Sequence, residues 1–292
     1  MIYELNYAGC TAKIESLGAE LVSFQGSDGF EALWQGDTQY WGGHAPVLFP
    51  IVGALRDNKV KIGGEWFEMG RHGFARKMEF TVSEQSVERI SLCLASSFET
   101  KKFYPFEFRL TVSYSLGERG LTTSFGVENL GSGVMPFVVG GHPGFNIPVG
   151  EQAAFEDYTI VFEKSETQKC PRIDLQTCLI DPSDVHFELK GEREIPLRHQ
   201  LFYGDALVFE NLNSNLVQVL HKESGKGIEM DFSGFPMLGI WSALNDGPYV
   251  ALEPWTGCAT RTDEGDELEK KKGMAFLPAG GRADYAFTVR IL

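Results

Sequence analysis

From Phe106 to Leu116 the apolar side chains fall on every second residue, Phe106, Phe108, Leu110, Val112, Tyr114 and Leu116, with a polar residue between each pair. That period is the mark of a strand with one buried face. The same alternation runs through Met78, Phe80 and Val82, through Ile90, Leu92 and Leu94, through Ile228, Met230 and Phe232, and through Tyr285, Phe287, Val289 and Ile291. Turn signals separate the runs: Gly63-Gly64, Gly117 to Gly120, Gly131 to Gly133, Glu223 to Gly225, and Asn245 to Pro248. Helical signals are short. One or two turns are expected in Ser97 to Tyr104, in Leu197 to Phe202 and in Asp263 to Lys271. No strand–helix unit repeats, which argues against a parallel α/β sheet. Strands spaced ~8–12 residues apart predict a sandwich or barrel. With ~5–6 residues per strand, roughly twenty strands are expected. The reading is all-β: one large antiparallel β-sandwich domain over residues 1–292, with few short helices and no linker. The triplets Gly42-Gly43-His44 and Gly140-Gly141-His142 look alike, but three residues recur easily by chance.

Composition narrows the partners. With 26 basic and 40 acidic side chains among 292 residues, the formal charge is −14. An acidic surface repels phosphate backbones and anionic headgroups, so neither nucleic acid nor membrane is expected as a partner. The high counts of 22 Phe and 33 Gly fit strands joined by tight turns. The first residues lack a basic region followed by an apolar run, so no targeting segment is expected. The longest apolar stretch, Ala45 to Leu55, holds Pro46 and Pro50 and falls far short of the ~20 residues of a membrane span. The five cysteines are scattered with no C-x-x-C pair, which reads as free thiols in a reducing cytoplasm.

Three polar motifs interrupt the strand pattern: Arg71-His72-Gly73-Phe74-Ala75-Arg76, Gly140-Gly141-His142-Pro143-Gly144-Phe145-Asn146, and Leu252-Glu253-Pro254-Trp255-Thr256-Gly257. Each sets a titratable residue beside Gly, Pro or an aromatic ring. Glycine lets a ligand approach the backbone, and aromatic walls suit the C–H faces of a sugar. Each residue also has a plain structural reading. A lone His72 or His142 is more often structural than catalytic. Glu253, after Tyr249 to Leu252, is either solvated or placed on purpose. Arg56 fits a surface turn, and Asp205 a turn or cap. Convergence in space would decide. His44, His72, His142 and His221 are enough imidazoles for a metal, yet no H-x-H or H-E-x-x-H pair places two on one element, so no metal is expected. No G-x-S-x-G elbow, dinucleotide fingerprint or phosphate loop is present.

At these motifs the chain resembles the aldose 1-epimerase (galactose mutarotase-like) family, and within it a LacX-like subgroup. The resemblance runs in order through Tyr40-Trp41, Ala45 to Gly53, Arg56, His72 to Arg76, Gly141 to Asn146, Gly204-Asp205 and Leu252 to Trp255. It implies a β-supersandwich with one open sugar cleft and interconversion of the α and β anomers of a free hexose. By resemblance, Glu253 is the general base at the C1 hydroxyl and His142 the general acid at the ring oxygen, while His72, Arg56 and Asp205 hold hydroxyls. No cofactor is implied, and the protein is expected to act as a monomer or homodimer on a small sugar.

One departure stands out. Better-known galactose mutarotases carry His-Gly-Gly where this chain has His72-Gly73-Phe74-Ala75-Arg76. That variant also resembles hexose-6-phosphate 1-epimerases, in which arginines grip the phosphate; Arg56, Arg71 and Arg76 are the candidates here. The net negative charge weighs modestly toward a neutral sugar. Two other readings stay open: a non-catalytic sugar-binding module, and a glycosidase using Glu253 and Asp205 as paired carboxylates.

Overall fold

The alternating runs become strands of a nine-stranded antiparallel sheet in a computed structural model that describes residues 1–150 and 152–292. Its order is Ile180–Pro196, Tyr158–Ile173, Leu216–His221, Gly227–Asp231, Arg282–Ile291, Gly120–Asn129, Phe108–Gly117, Arg89–Ala95 and Thr81–Gln85. The period-2 residues Leu110, Val112 and Tyr114 are buried, as are Leu121, Phe125 and Val127 on the neighbouring strand. Two runs are shorter than expected. The first strand starts at Phe108 instead of Phe106, and of Met78 to Val82 only the part from Thr81 is strand, because Ala75–Lys77 forms a 3-10 turn.

A second, six-stranded sheet has the order Leu207–Glu210, Met237–Trp241, Tyr249–Trp255, Gly140–Gly141, Val47–Leu48, with Gly144–Asn146 also pairing with Tyr249–Trp255. Side chains alternate across it. Leu238, Ile240, Val250 and Leu252 join the main hydrophobic core, which also takes in Val112, Phe125 and Phe287 of the large sheet. Burying each such side chain contributes ~1.5–3 kcal/mol, so the sheet that carries the site rests on a firm apolar layer. Its alternate face holds Trp241, Glu253 and Trp255, which line a cleft.

Among the described residues three small sheets complete the fold: Ile2–Tyr7 with Cys10–Glu15 and Glu20–Gln25, Lys59–Ile62 with Glu65–Glu68, and Met135–Phe137 with Ala275–Leu277. The three expected helical stretches each hold one 3-10 turn, Thr100–Lys102, His199–Phe202 and Leu268–Lys270. All five cysteines are free. Among the described residues no helix is long and apolar enough to cross a membrane.

Candidate active site

Strand register brings the two central groups together. Gly140 pairs with Trp255, and Gly144 pairs with Ala251. The same antiparallel register puts His142 opposite Glu253, and the Leu252 N–H donates to the Pro143 carbonyl at 3.1 Å between them. Facing residues in such a ladder have neighbouring side chains. His142 Nε2 lies 3.2 Å from Glu253 Oε2. The two atoms are close but poorly aligned, and neither Glu253 Oε2 nor His142 Nδ1 has a hydrogen-bond partner among the described residues. Both side chains are buried, Glu253 at 2% exposure. Trp255 lies flat beside them, because Gly140 and Gly239 leave room: a Cβ at Gly239 would stand 2.4 Å from its ring.

His72 enters from a turn strapped to the segment before Ala54. Its N–H donates to the Gly53 carbonyl at 2.8 Å, and its Nδ1 accepts the Gly53 N–H at 3.1 Å. Nδ1 is therefore an acceptor, so the neutral ring carries its proton on Nε2. The His72 and His142 rings meet edge to face, 5.6 Å between centroids. Asp205 sits in a tight turn with φ 69°, where its Oδ1 accepts the Ala206 N–H at 2.8 Å and its Oδ2 pairs with Arg71 at 3.4 Å. The tip of the long hairpin Tyr158–Ile173/Ile180–Pro196 closes one side with Ile173, Cys178 and Ile180. Ile180 is tied to the facing loop by its N–H to the Thr260 carbonyl at 3.0 Å. The cleft encloses about 220 Å³.

Burial dominates the electrostatics. It pushes the Glu253 carboxyl well above the usual carboxylate range; Arg71 opposes the rise, Asp205 adds to it, and the nearby Trp255 indole N–H opposes it weakly. Burial brings the His142 imidazole down to about 3, helped by Arg71 and Arg76. His72 is also held well below its ordinary value, by burial first and then by His142, Arg71 and Arg76. The pair Glu253–His142 therefore favours one proton shared as carboxylic acid and neutral imidazole.

The burial of His72 makes the fold sensitive to acid. Its folded value lies below the unfolded value of ~6.5, so the stability it confers is present above that pH and is lost as pH falls through the folded value. His72→Gln should flatten the decline of Tm below about pH 6.5. An unchanged acid slope would show that His72 is not among the groups that drive acid unfolding.

Four of the five expected site residues line one cleft: Glu253, His142, His72 and Asp205. Arg56 does not. Its Nε pairs with Asp266 at 3.2 Å, and its Nη2 donates to the carbonyls of Glu264 at 2.9 Å and Arg261 at 3.3 Å. Those bonds make it a strap between loops and leave the guanidinium outside the cleft, which corrects the expectation that it holds a hydroxyl. Arg71 and Arg76 do line the cleft, whereas His44 is turned to Glu20 at 3.7 Å. Trp41, Trp241 and the hairpin-tip residues also line it. Trp41 stood within the resembling segments, but Trp241 and the hairpin tip carried no local signal.

Comparison with known proteins supplies the family. Residues 1–272 match the family model of aldose 1-epimerase. The chain is 38% identical over 277 residues to the plasmid-encoded protein LacX of Lactococcus lactis subsp. lactis, covering 93% of each. It superposes on a galactose mutarotase related enzyme from Lactobacillus acidophilus with TM-score 0.94 and 33% identity, over 100% of this chain and 97% of that one. A galactose mutarotase-like protein from Lactobacillus casei matches with TM-score 0.92 and 30% identity over the whole of both chains.

Proposed function

This chain belongs to the aldose 1-epimerase family, and from that premise we propose that it is a mutarotase acting on a free hexose. The observation that carries the reading is the 3.2 Å approach of His142 Nε2 to Glu253 Oε2 inside the cleft. Mutarotation moves a proton off the C1 hydroxyl and another onto the ring oxygen. Both oxygens are bonded to the same carbon, so the base and the acid must stand side by side.

In ring opening the Glu253 carboxylate takes the C1 hydroxyl proton, the C1–O5 electron pair goes to O5, and O5 takes its proton from the His142 imidazolium. The C1 carbonyl forms, and rotation about C1–C2 presents its other face. In closure O5 attacks C1 and returns its proton to His142, while Glu253 protonates the carbonyl oxygen. The pair thus passes from carboxylate and imidazolium to carboxylic acid and imidazole. Burial favours the second arrangement, which matches the open-chain aldehyde. Arg71 pulls Glu253 back toward carboxylate but also opposes a charge on His142, so its two effects on the gap offset each other. His72, with Nδ1 held by Gly53, has Nε2–H left to donate to the ring oxygen or a neighbouring hydroxyl. Asp205 with Arg71 suits the remaining hydroxyls. A glycosidase is less well served, since the group facing Glu253 is an imidazole and Asp205 is already engaged by Arg71 and the Ala206 N–H.

A second reading has one observation in its favour. Arg71 and Arg76 line the same cleft, and Arg76 Nε is buried with no hydrogen-bond partner among the described residues. Those guanidiniums suit the phosphate of a hexose 6-phosphate. Polarimetry on freshly dissolved α-glucose, α-galactose and their 6-phosphates separates the readings. Faster equilibration of the free sugars is expected. Preference for the phosphates, lost in Arg76→Ala, would favour the second reading. Rates equal to buffer throughout, with sugar still bound, would leave only a binding module.

A further inference from the structure

We propose that Trp41 is a positioning residue for His142, stacking on its imidazole and stabilising the imidazolium that ring opening requires. The contact stands in the structure; its consequence for rate rests on the mutarotase reading. The two rings are 4.7 Å apart at their centroids and inclined by 25°. That is within the ~6 Å at which an aromatic face attracts a cation, and indole is the strongest such face. Trp241 meets the imidazole edge-on at 5.5 Å and Trp41 at 5.4 Å, so the two indoles form a corner around it.

Trp41 is itself held firmly. It stacks on Tyr249 at 5.7 Å, and Tyr249 stacks on Trp34 at 4.5 Å. The Trp34 indole N–H donates to the Trp41 carbonyl at 2.7 Å, and the Trp41 N–H donates to the Asp37 carbonyl at 2.9 Å. Its loop is also held by the Asn245 side-chain N–H, which donates to the Gln39 carbonyl at 2.7 Å. On the other side, a Cβ at Gly144 would stand 3.0 Å from the indole, so the small residue lets the ring lie close.

The need for such a partner is electrostatic. The groups around His142 are Glu253 at 3.2 Å, the neutral His72 ring at 5.6 Å, and the Arg71 and Arg76 guanidiniums, with Asp205 paired to Arg71. Burial and both arginines oppose a charge on the imidazole. Glu253 favours it only while it is itself a carboxylate, the form that burial disfavours. An aliphatic wall would only add to the desolvation. An indole face excludes water and attracts the cation together.

The test replaces the tryptophans biosynthetically with fluorinated tryptophan, which withdraws electron density from the ring face with little change of shape. kcat is expected to fall about fivefold at unchanged KM, and the fall should disappear in a Trp41→Phe background. In parallel, 15N NMR at one acidic pH within the folded range should show a smaller imidazolium fraction at His142 in the fluorinated protein. No change in kcat and in that fraction would overturn the proposal, as would a rise in KM alone, which would make Trp41 a sugar platform. If the unlabelled protein does not mutarotate, the mutarotase reading fails, while the imidazolium fraction still decides whether Trp41 acts on His142.

Discussion

Glu253→Gln is expected to lower kcat by about 10²–10⁴-fold, the usual contribution of a positioned general base, while sugar binding and fold survive. Glutamine keeps the shape and the polar contacts of the neutral side chain but cannot accept the C1 proton. Its effect on stability has the opposite sign. The native carboxyl titrates well above its unfolded value of ~4.3, so the stability it confers is full below that pH and declines as pH rises through the raised folded value. Glutamine has no such decline, so the variant should melt at or above the wild-type temperature at neutral and alkaline pH. Polarimetry paired with thermal melts across pH reads both effects. Full activity in the variant would remove Glu253 from the base role. A lower melting temperature at alkaline pH would mean that the carboxylate form is what the native structure holds.

The contrast between the two sheets explains what could be read from the chain. The strands Phe108–Gly117, Arg89–Ala95 and Arg282–Ile291 alternate because they have one buried face, and that period is directly visible. Tyr249–Trp255 is buried at every residue, with core on one side and cleft wall on the other. Its sequence therefore shows no alternation, and Glu253 reads as the end of an apolar run when it lies inside the strand. The pairing of Glu253 with His142 depends on a register between segments more than 100 residues apart, which no local pattern encodes; only the ordered resemblance pointed to both. The same resemblance misplaced Arg56, because a guanidinium near the right turn can face either the cleft or a neighbouring loop. Here the carbonyls of Arg261 and Glu264 and the carboxylate of Asp266 draw it to the loop. The hairpin tip that closes the cleft was invisible for a further reason. Its exposed turn, capped by Asp174 Oδ1 accepting the Thr177 N–H at 2.7 Å, looks like any surface turn.

Gly73→Ala should be the most damaging small substitution in the site, costing about 3 kcal/mol or more from backbone strain and crowding together and removing activity with it. His72 and Gly73 are consecutive residues in the left-handed region, at φ 66° and 74°. The turn accepts this strain at His72 because Gly53 holds both its backbone N–H and its ring. Gly73 has no such margin, since a Cβ there would stand 2.2 Å from the Phe49 carbonyl oxygen. That oxygen also accepts the N–H groups of Phe74 at 3.1 Å and Ala75 at 3.3 Å, so it cannot retreat without releasing them. The turn would move instead and carry His72 away from His142. Gly64→Ala is the matched control. Gly64 is left-handed too, at φ 91°, but no atom of the described residues lies within 4 Å of the added Cβ. It should cost only the conformational part, about 1–2 kcal/mol, and leave mutarotation untouched. Denaturant unfolding of the two variants, compared at equal m-value, isolates the crowding at Phe49 as their difference. Equal losses in the two would mean that the Phe49 carbonyl can yield and that the His72 turn is not locked against it.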